Sequence, residues 1–124
     1  MKKRVLNPER LRKIPPHFSW IDHRLVRDNY FTRCEHSAWA LYLFLVSVAD
    51  AQGLSYYSDG SLMRRLNLGP LQFSSSRQQL IQTNLIAYEK PLYQVLDLEP
   101  LASNRSGPIS VGELLRSALQ GGQP

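Results

Sequence analysis

A single cysteine, Cys34, occurs among 124 residues. That scarcity excludes an intramolecular disulfide framework and suits a reducing compartment. No run reaches the about 18–20 apolar residues that a membrane-spanning helix needs. The start of the chain is basic, then polar and proline-bearing, unlike a secretory signal, so a cytoplasmic location is the expectation. Also missing are GxxxxGK followed by Ser or Thr, GxGxxG and GxSxG. Their absence argues against a phosphate-cradling loop, a dinucleotide fingerprint and a nucleophile elbow. Soft metal ligands are scarce too. Cys34 and His36, with His23 upstream, lack a second Cys-x-x-Cys pair and make a poor zinc pattern. Cys34 reads instead as a semi-buried thiol, and no oxyanion-forming motif accompanies it. Asp22 and Asp28 read as a helix cap and a surface charge rather than a paired acid and base. Catalysis, a cofactor and a metal are therefore not expected.

What is present suffices for one domain with tails, since 43% of the residues are hydrophobic and the length allows a real core. The formal charge of +5 is unevenly placed. Residues 1–13 hold six cations, Lys2, Lys3, Arg4, Arg10, Arg12 and Lys13, against Glu9 alone, a net of +5. The remaining residues carry nine basic and nine acidic side chains, a net of zero. Such an arm suits phosphates or a minor groove. It equally suits a solubilising terminus.

Residues 1–16 read as an extended arm, because Pro15-Pro16 disfavours helix before it. In residues 17–21, Phe18, Trp20 and Ile21 are expected to bury themselves against the domain. Asp22 then suits the cap of a short helix running to Tyr30, with Leu25 and Val26 inward. Arg24, Arg27 and Arg33 either extend the basic surface or pair with Asp22, Asp28 and Glu35, and pairing is favoured. Residues 37–51 form the clearest helix, since from Trp39 to Ala49 only Ser47 is plainly polar. A helix apolar nearly all round needs cover on more than one side. Neighbouring helices, Phe18 and Trp20 would supply it, or else a second subunit. Gly53 is its expected left-handed stop.

Residues 54–57 suggest a short strand. Residues 85–88 and 92–98 read as antiparallel strands around Glu89-Lys90-Pro91, with Tyr93, Val95 and Asp97 alternating against Leu92, Gln94, Leu96 and Leu98. After Pro100 a polar linker begins. Ser110 and Glu113 then have capping-box spacing. Leu114, Leu115, Ala118 and Leu119 stripe a final helix of about ten residues, a length marginal on its own.

The middle of the chain, YYSDGSLMRRLNLGPLQFSSSRQQLIQTNLI (residues 56–86), reads as two helices around a tight turn. Ser58 stands where an N-cap belongs, and Leu62 and Leu66, four apart, mark an apolar face. Asn67-Leu68-Gly69-Pro70 breaks the first helix, with Gly69 expected at positive φ and Pro70 opening the second. Phe73 and Leu80, seven apart, turn inward on the second helix, and Asn84 suits a left-handed stop. Two helices joined by about 3–4 residues make the helix-turn-helix pattern. With SAWALYLFLVSVADAQGLSYYS before it and LIAYEKPLYQVLDL after it, residues 37–98 resemble the winged helix-turn-helix domains of bacterial regulators and of plasmid or phage replication-initiation proteins. The resemblance implies an α+β fold with a three-helix core and a short antiparallel β-wing. Here it would carry a basic N-terminal arm and a C-terminal helical tail. The expected limits are the arm at 1–16, the domain at 17–99, and a linker with a short helix at 100–124.

The resemblance also implies sequence-recognising binding of double-stranded DNA. The setting would be transcriptional regulation, or an accessory role in replication or a mobile element. Residues 70–83 would be the recognition helix, with Gln72, Ser74, Ser75 and Gln78 facing out. Gln can contact adenine bidentately, and Ser can reach a phosphate or a base edge. Arg77 stands where the family pattern has an apolar residue. Either its stem packs while its head snorkels to a phosphate, or the helix is rotated. Arg64, Arg65 and Lys90 suit backbone phosphates, as do Lys2, Lys3, Arg4, Arg12 and Lys13 of the arm. No arginine is placed for the common bidentate guanine contact. An adaptor that binds protein through its winged helix is therefore the rival reading. A homodimer and a larger protein partner held through residues 110–120 stay open, and no membrane partner is expected.

Overall fold

The computed structural model describes residues 2–98. The expected linker, the Ser110 and Glu113 capping box and the partner segment 110–120 lie outside the described residues. Within them the chain is α+β, with four α-helices and one three-stranded antiparallel sheet. A 3-10 turn at Pro8–Arg10 is followed by α1 (Arg24–Arg27) and a second 3-10 turn at Tyr30–Thr32. Then come α2 (His36–Val48), β1 (Leu54–Tyr56), α3 (Asp59–Leu66), α4 (Pro70–Gln82), β2 (Ile86–Glu89) and β3 (Leu92–Val95). No helix among the described residues is long and apolar enough to cross a membrane.

Local chemistry explains most boundaries. Ser58 Oγ accepts the Ser61 N–H at 3.2 Å and caps α3. Pro70 opens α4, where its missing N–H leaves no helical bond unmade. The two helices end alike. Asn67 (φ 57°) and Asn84 (φ 61°) are left-handed, and the amides of Leu68 and Leu85 return to the Met63 and Leu80 carbonyls at 3.0 Å each. The positive φ after α3 thus sits at Asn67 and not, as expected, at Gly69. Gly69 is extended (φ −76°, ψ 169°), the conformation that a following proline favours.

Helix α2 stops at Val48, short of residue 51, because Ala49 is already extended (φ −70°, ψ 149°). Asp50 Oδ1 accepts the N–H groups of Gln52 at 2.8 Å and Leu54 at 2.9 Å, closing a turn in place of further helix. Gly53 (φ 87°) belongs to that turn rather than to a helix stop. Its carbonyl accepts the Val95 N–H at 2.8 Å. A Cβ at this position would stand 2.6 Å from the Val95 oxygen, so the close approach requires glycine.

In the sheet β3 is central, pairing antiparallel with β1 (Ser55 opposite Tyr93) and with β2 (Tyr88 opposite Tyr93). β3 ends at Val95 rather than at residue 98. Tyr93 is fully buried and joins Leu41 and Leu45 of α2, Leu62 of α3, and Phe73 and Leu80 of α4 in the core, with Leu85 and Ile86. Each such apolar side chain contributes about 1.5–3 kcal/mol by leaving water.

Several expectations for the first half fail. Phe18 and Trp20 are 63% and 71% exposed, and Ile21 is exposed too. Their segment holds no helix or strand, and its aromatic side chains line a cleft instead of entering the core. α1 is a single turn. Successive helical residues point about 100° apart, so burying Leu25 leaves Val26 exposed. Leu43 of α2 is also exposed, and that helix is not covered all round.

Arg24 and Arg27 pair with Asp22 (2.7 Å) and Asp28 (3.4 Å). Arg33 donates to the Asp28 carbonyl at 3.1 Å and lies 4.0 Å from the Tyr30 ring centroid, rather than meeting Glu35. Hydrogen bonds from the Arg24 side chain and then from its amide lower the Asp22 carboxyl from 3.8 to about 2. The half-buried Cys34 places its Sγ 3.6 Å from Thr83 Oγ1, against the end of α4.

Candidate nucleic-acid interface

Three sets of side-chain bonds fix how α4 is rolled about its axis. Ser76, fully buried, donates to Ser37 Oγ at 2.7 Å. Gln79 Oε1 accepts the Glu35 N–H at 2.7 Å, just ahead of α2. Arg77 Nη1 donates to Asp59 Oδ1 at 2.8 Å and to Tyr93 Oη at 2.9 Å. With Phe73 and Leu80 also buried, the helix exposes Leu71, Gln72, Ser74, Ser75 and Gln78. The four polar residues expected to face out do so. Ser75 Oγ also accepts Gln79 Nε2 at 3.2 Å.

Arg77 departs from both expectations. The helix is not rotated, yet the guanidinium turns inward and its side chain is only 16% exposed. It lies 4.2 Å from the Tyr88 ring centroid and 4.8 Å from that of Phe73, a cation–π setting. Burial opposes the charge, but the bonds to Asp59 and Tyr93 outweigh it and raise the Arg77 pKa above its ordinary value. Burial likewise pushes the Tyr93 phenol up, against the pull of Arg77. The residue ties α4 to the start of α3 and to the central strand. It therefore drops out of the expected contact surface.

The remaining cations of the body are placed differently. Arg64 and Arg65 are exposed in the last turn of α3, just before the 67–69 turn into α4. Arg65 Nε donates to Ser61 Oγ at 3.3 Å, and its guanidinium is 6.0 Å from the Phe44 and Tyr57 ring centroids. Lys90 is exposed at the hairpin turn. The Tyr57 N–H donates to the Pro91 carbonyl at 3.2 Å, which ties that turn to the start of α3. Among the described residues, Arg64, Arg65 and Lys90 form no ion pair, whereas Arg24, Arg27 and Arg77 do. Glu89, exposed beside Lys90, offsets part of the hairpin's charge. Lys2, Lys3, Arg4, Arg12 and Lys13 are all exposed. No hydrogen bond or ion pair among the described residues brings them to α4.

The sequence pattern carried a signal for one further exposed residue, Leu71, that the expected surface did not include. Leu71 is 87% exposed; it lies two positions before the inward Phe73 and so on the far side of the helix. The roles of Asp59 and Gln79 carry no local signal, because their partners lie 18 and 44 residues away in sequence. No group of three or more His, Cys, Asp or Glu that could hold a metal ion occurs among the described residues. A scan against protein-family models and searches of curated proteins and solved structures found no match to this chain.

Proposed function

We propose that this domain is a winged helix-turn-helix and that it binds double-stranded DNA. In this reading α4 enters the major groove, while Arg64, Arg65, Lys90 and the basic arm meet phosphates. The observation that carries it is the outward face of α4. Gln72, Ser74, Ser75 and Gln78 are exposed on a helix whose roll is fixed by three sets of bonds on its other side. A polar ridge held this firmly suits reading of base edges, because its donors and acceptors need little further ordering. The flanking cations lie on α3 and the hairpin turn, and such contacts position a domain on the duplex without reading sequence.

The magnitude is testable. If Arg64, Arg65 and Lys90 each neutralise one phosphate, log K falls against log salt with a slope of about −2.7, and arm contacts steepen it. Arg64→Ala or Arg65→Ala reduces that slope by about one, with the same loss of affinity on every duplex. Fluorescence anisotropy with short duplexes across a salt series measures both. Absence of duplex affinity even at low salt sinks this reading. That result favours the adaptor, for which the exposed Leu71 on an uncharged helix face is the supporting observation.

A further inference from the structure

We infer that the cleft beside Trp20 receives the chain's own residues 110–119, an inference independent of the DNA reading. The cleft has a volume of about 430 Å³ and is walled by Phe18 and Trp20, by Tyr42 and Val46 of α2, and by Val95 and Leu98. Phe18 and Trp20 project their rings largely into solvent. Large exposed aromatics beside a cleft mark a contact surface rather than an ordinary exterior.

The occupant follows from where the described chain stops and from what comes next. Leu98, the last described residue, is itself part of the cleft wall. Residues 99–109 span at most about 36–40 Å when extended, ample to return over the same cleft. Beyond them, Val111, Leu114, Leu115 and Ala118 fall on one side of a helical projection. Tethering lowers the affinity required. A short tether supplies an effective concentration in the millimolar range, so a segment too short to hold a helical turn alone can still be held by docking.

Fluorine NMR of the chain labelled with 5-fluorotryptophan tests the proposal, with the Trp20 signal assigned by Trp20→Phe. Three chains are compared in the presence of a soluble paramagnetic agent: the full chain, one ending at residue 102, and the full chain with Leu115→Asp. Among the described residues the core lies between Leu25 and Leu98, and both variants leave those residues unchanged. The Trp39 signal, whose indole N–H is bonded to the Phe31 carbonyl, reports that each chain is folded. With about 1 mM effective concentration and an intrinsic Kd of about 0.1 mM, the Trp20 signal of the full chain broadens about tenfold less than in the other two. Protection independent of protein concentration supports the docking. Equal broadening in all three chains overturns it, as does protection that fades on dilution, which would put a second copy in the cleft instead.

Discussion

Arg77 is the single charged side chain of α4, and it works toward the inside of the molecule. Its guanidinium lies over the rings of Phe73 and Tyr88 and donates to Asp59 and Tyr93. Removing the head while keeping the stem should leave a part-buried carboxylate and a phenol without their partner. Asp59 is 45% exposed, so the penalty is smaller than for a sealed pair. Arg77→Met is expected to destabilise the domain by about 2 kcal/mol, and Tyr93→Phe by about 1 kcal/mol, in urea unfolding. An unchanged midpoint for Arg77→Met, together with a weaker salt slope of duplex binding, would return the residue to the contact surface. The sequence left two settings open for Arg77, and neither included Asp59, because a partner 18 positions away is visible only after folding. The aromatic pair Phe18 and Trp20 failed for a related reason. Hydrophobicity says that a side chain gains by burial, not that the folded chain offers it a place.

Asp22 gives a second test at the same scale. Its folded pKa of about 2 lies below the ordinary 3.8, so its bond to Arg24 stabilises fully above about pH 4. That contribution fades as pH falls toward 2, where the folded carboxyl also takes up a proton. Unfolding midpoints of the protein and of Asp22→Asn should therefore differ at pH 6 and converge as pH drops through this window. A gap that stays constant down to pH 2 would remove Arg24 as the cause.

Among the elements, the boundaries set by neighbours in sequence were legible. The Ser58 cap, the Pro70 start, the Asn84 stop and the inward pair Phe73 and Leu80 all stand as the sequence suggested. Gly69 shows where this reasoning goes astray. Glycine permits a positive φ, but the following Pro70 favours extended backbone, and the left-handed role passed to Asn67. Asn67→Ala should therefore cost about 1 kcal/mol, while Asn67→Gly should stay within about 0.5 kcal/mol of the original. Gly53→Ala should cost more than about 1 kcal/mol, through its positive φ and the collision with the Val95 carbonyl. Thermal unfolding of the three variants checks the order. A tolerated alanine at residue 53 would mean that the turn and β3 can separate at little expense. The early end of α2 was not legible, because it depends on Asp50 taking the amides of the next turn rather than lying in a helix.

For the whole molecule, charge and shape are divided between parts. Residues 1–13 carry the entire excess of +5, and residues 2–13 are exposed along their length. Deleting residues 1–13 should weaken binding to all duplexes alike and flatten the salt slope by up to about 0.9 for each phosphate that the arm no longer neutralises. Weakening at one sequence alone would mean that the arm reads bases. The sequence showed this division plainly, since it needs only counting. It could not show that, among the described residues, Arg24, Arg27 and Arg77 would form ion pairs while Arg64, Arg65 and Lys90 would not.

The bonds that hold α4 run through Ser76, Arg77 and Gln79, with Phe73 and Leu80 packed beside them. Gln72, Ser74 and Gln78 share none of those duties. Frame and lettering are thus written in separate positions of one helix. New side chains can be tried at those three places without loosening what carries them, as type is changed in a press.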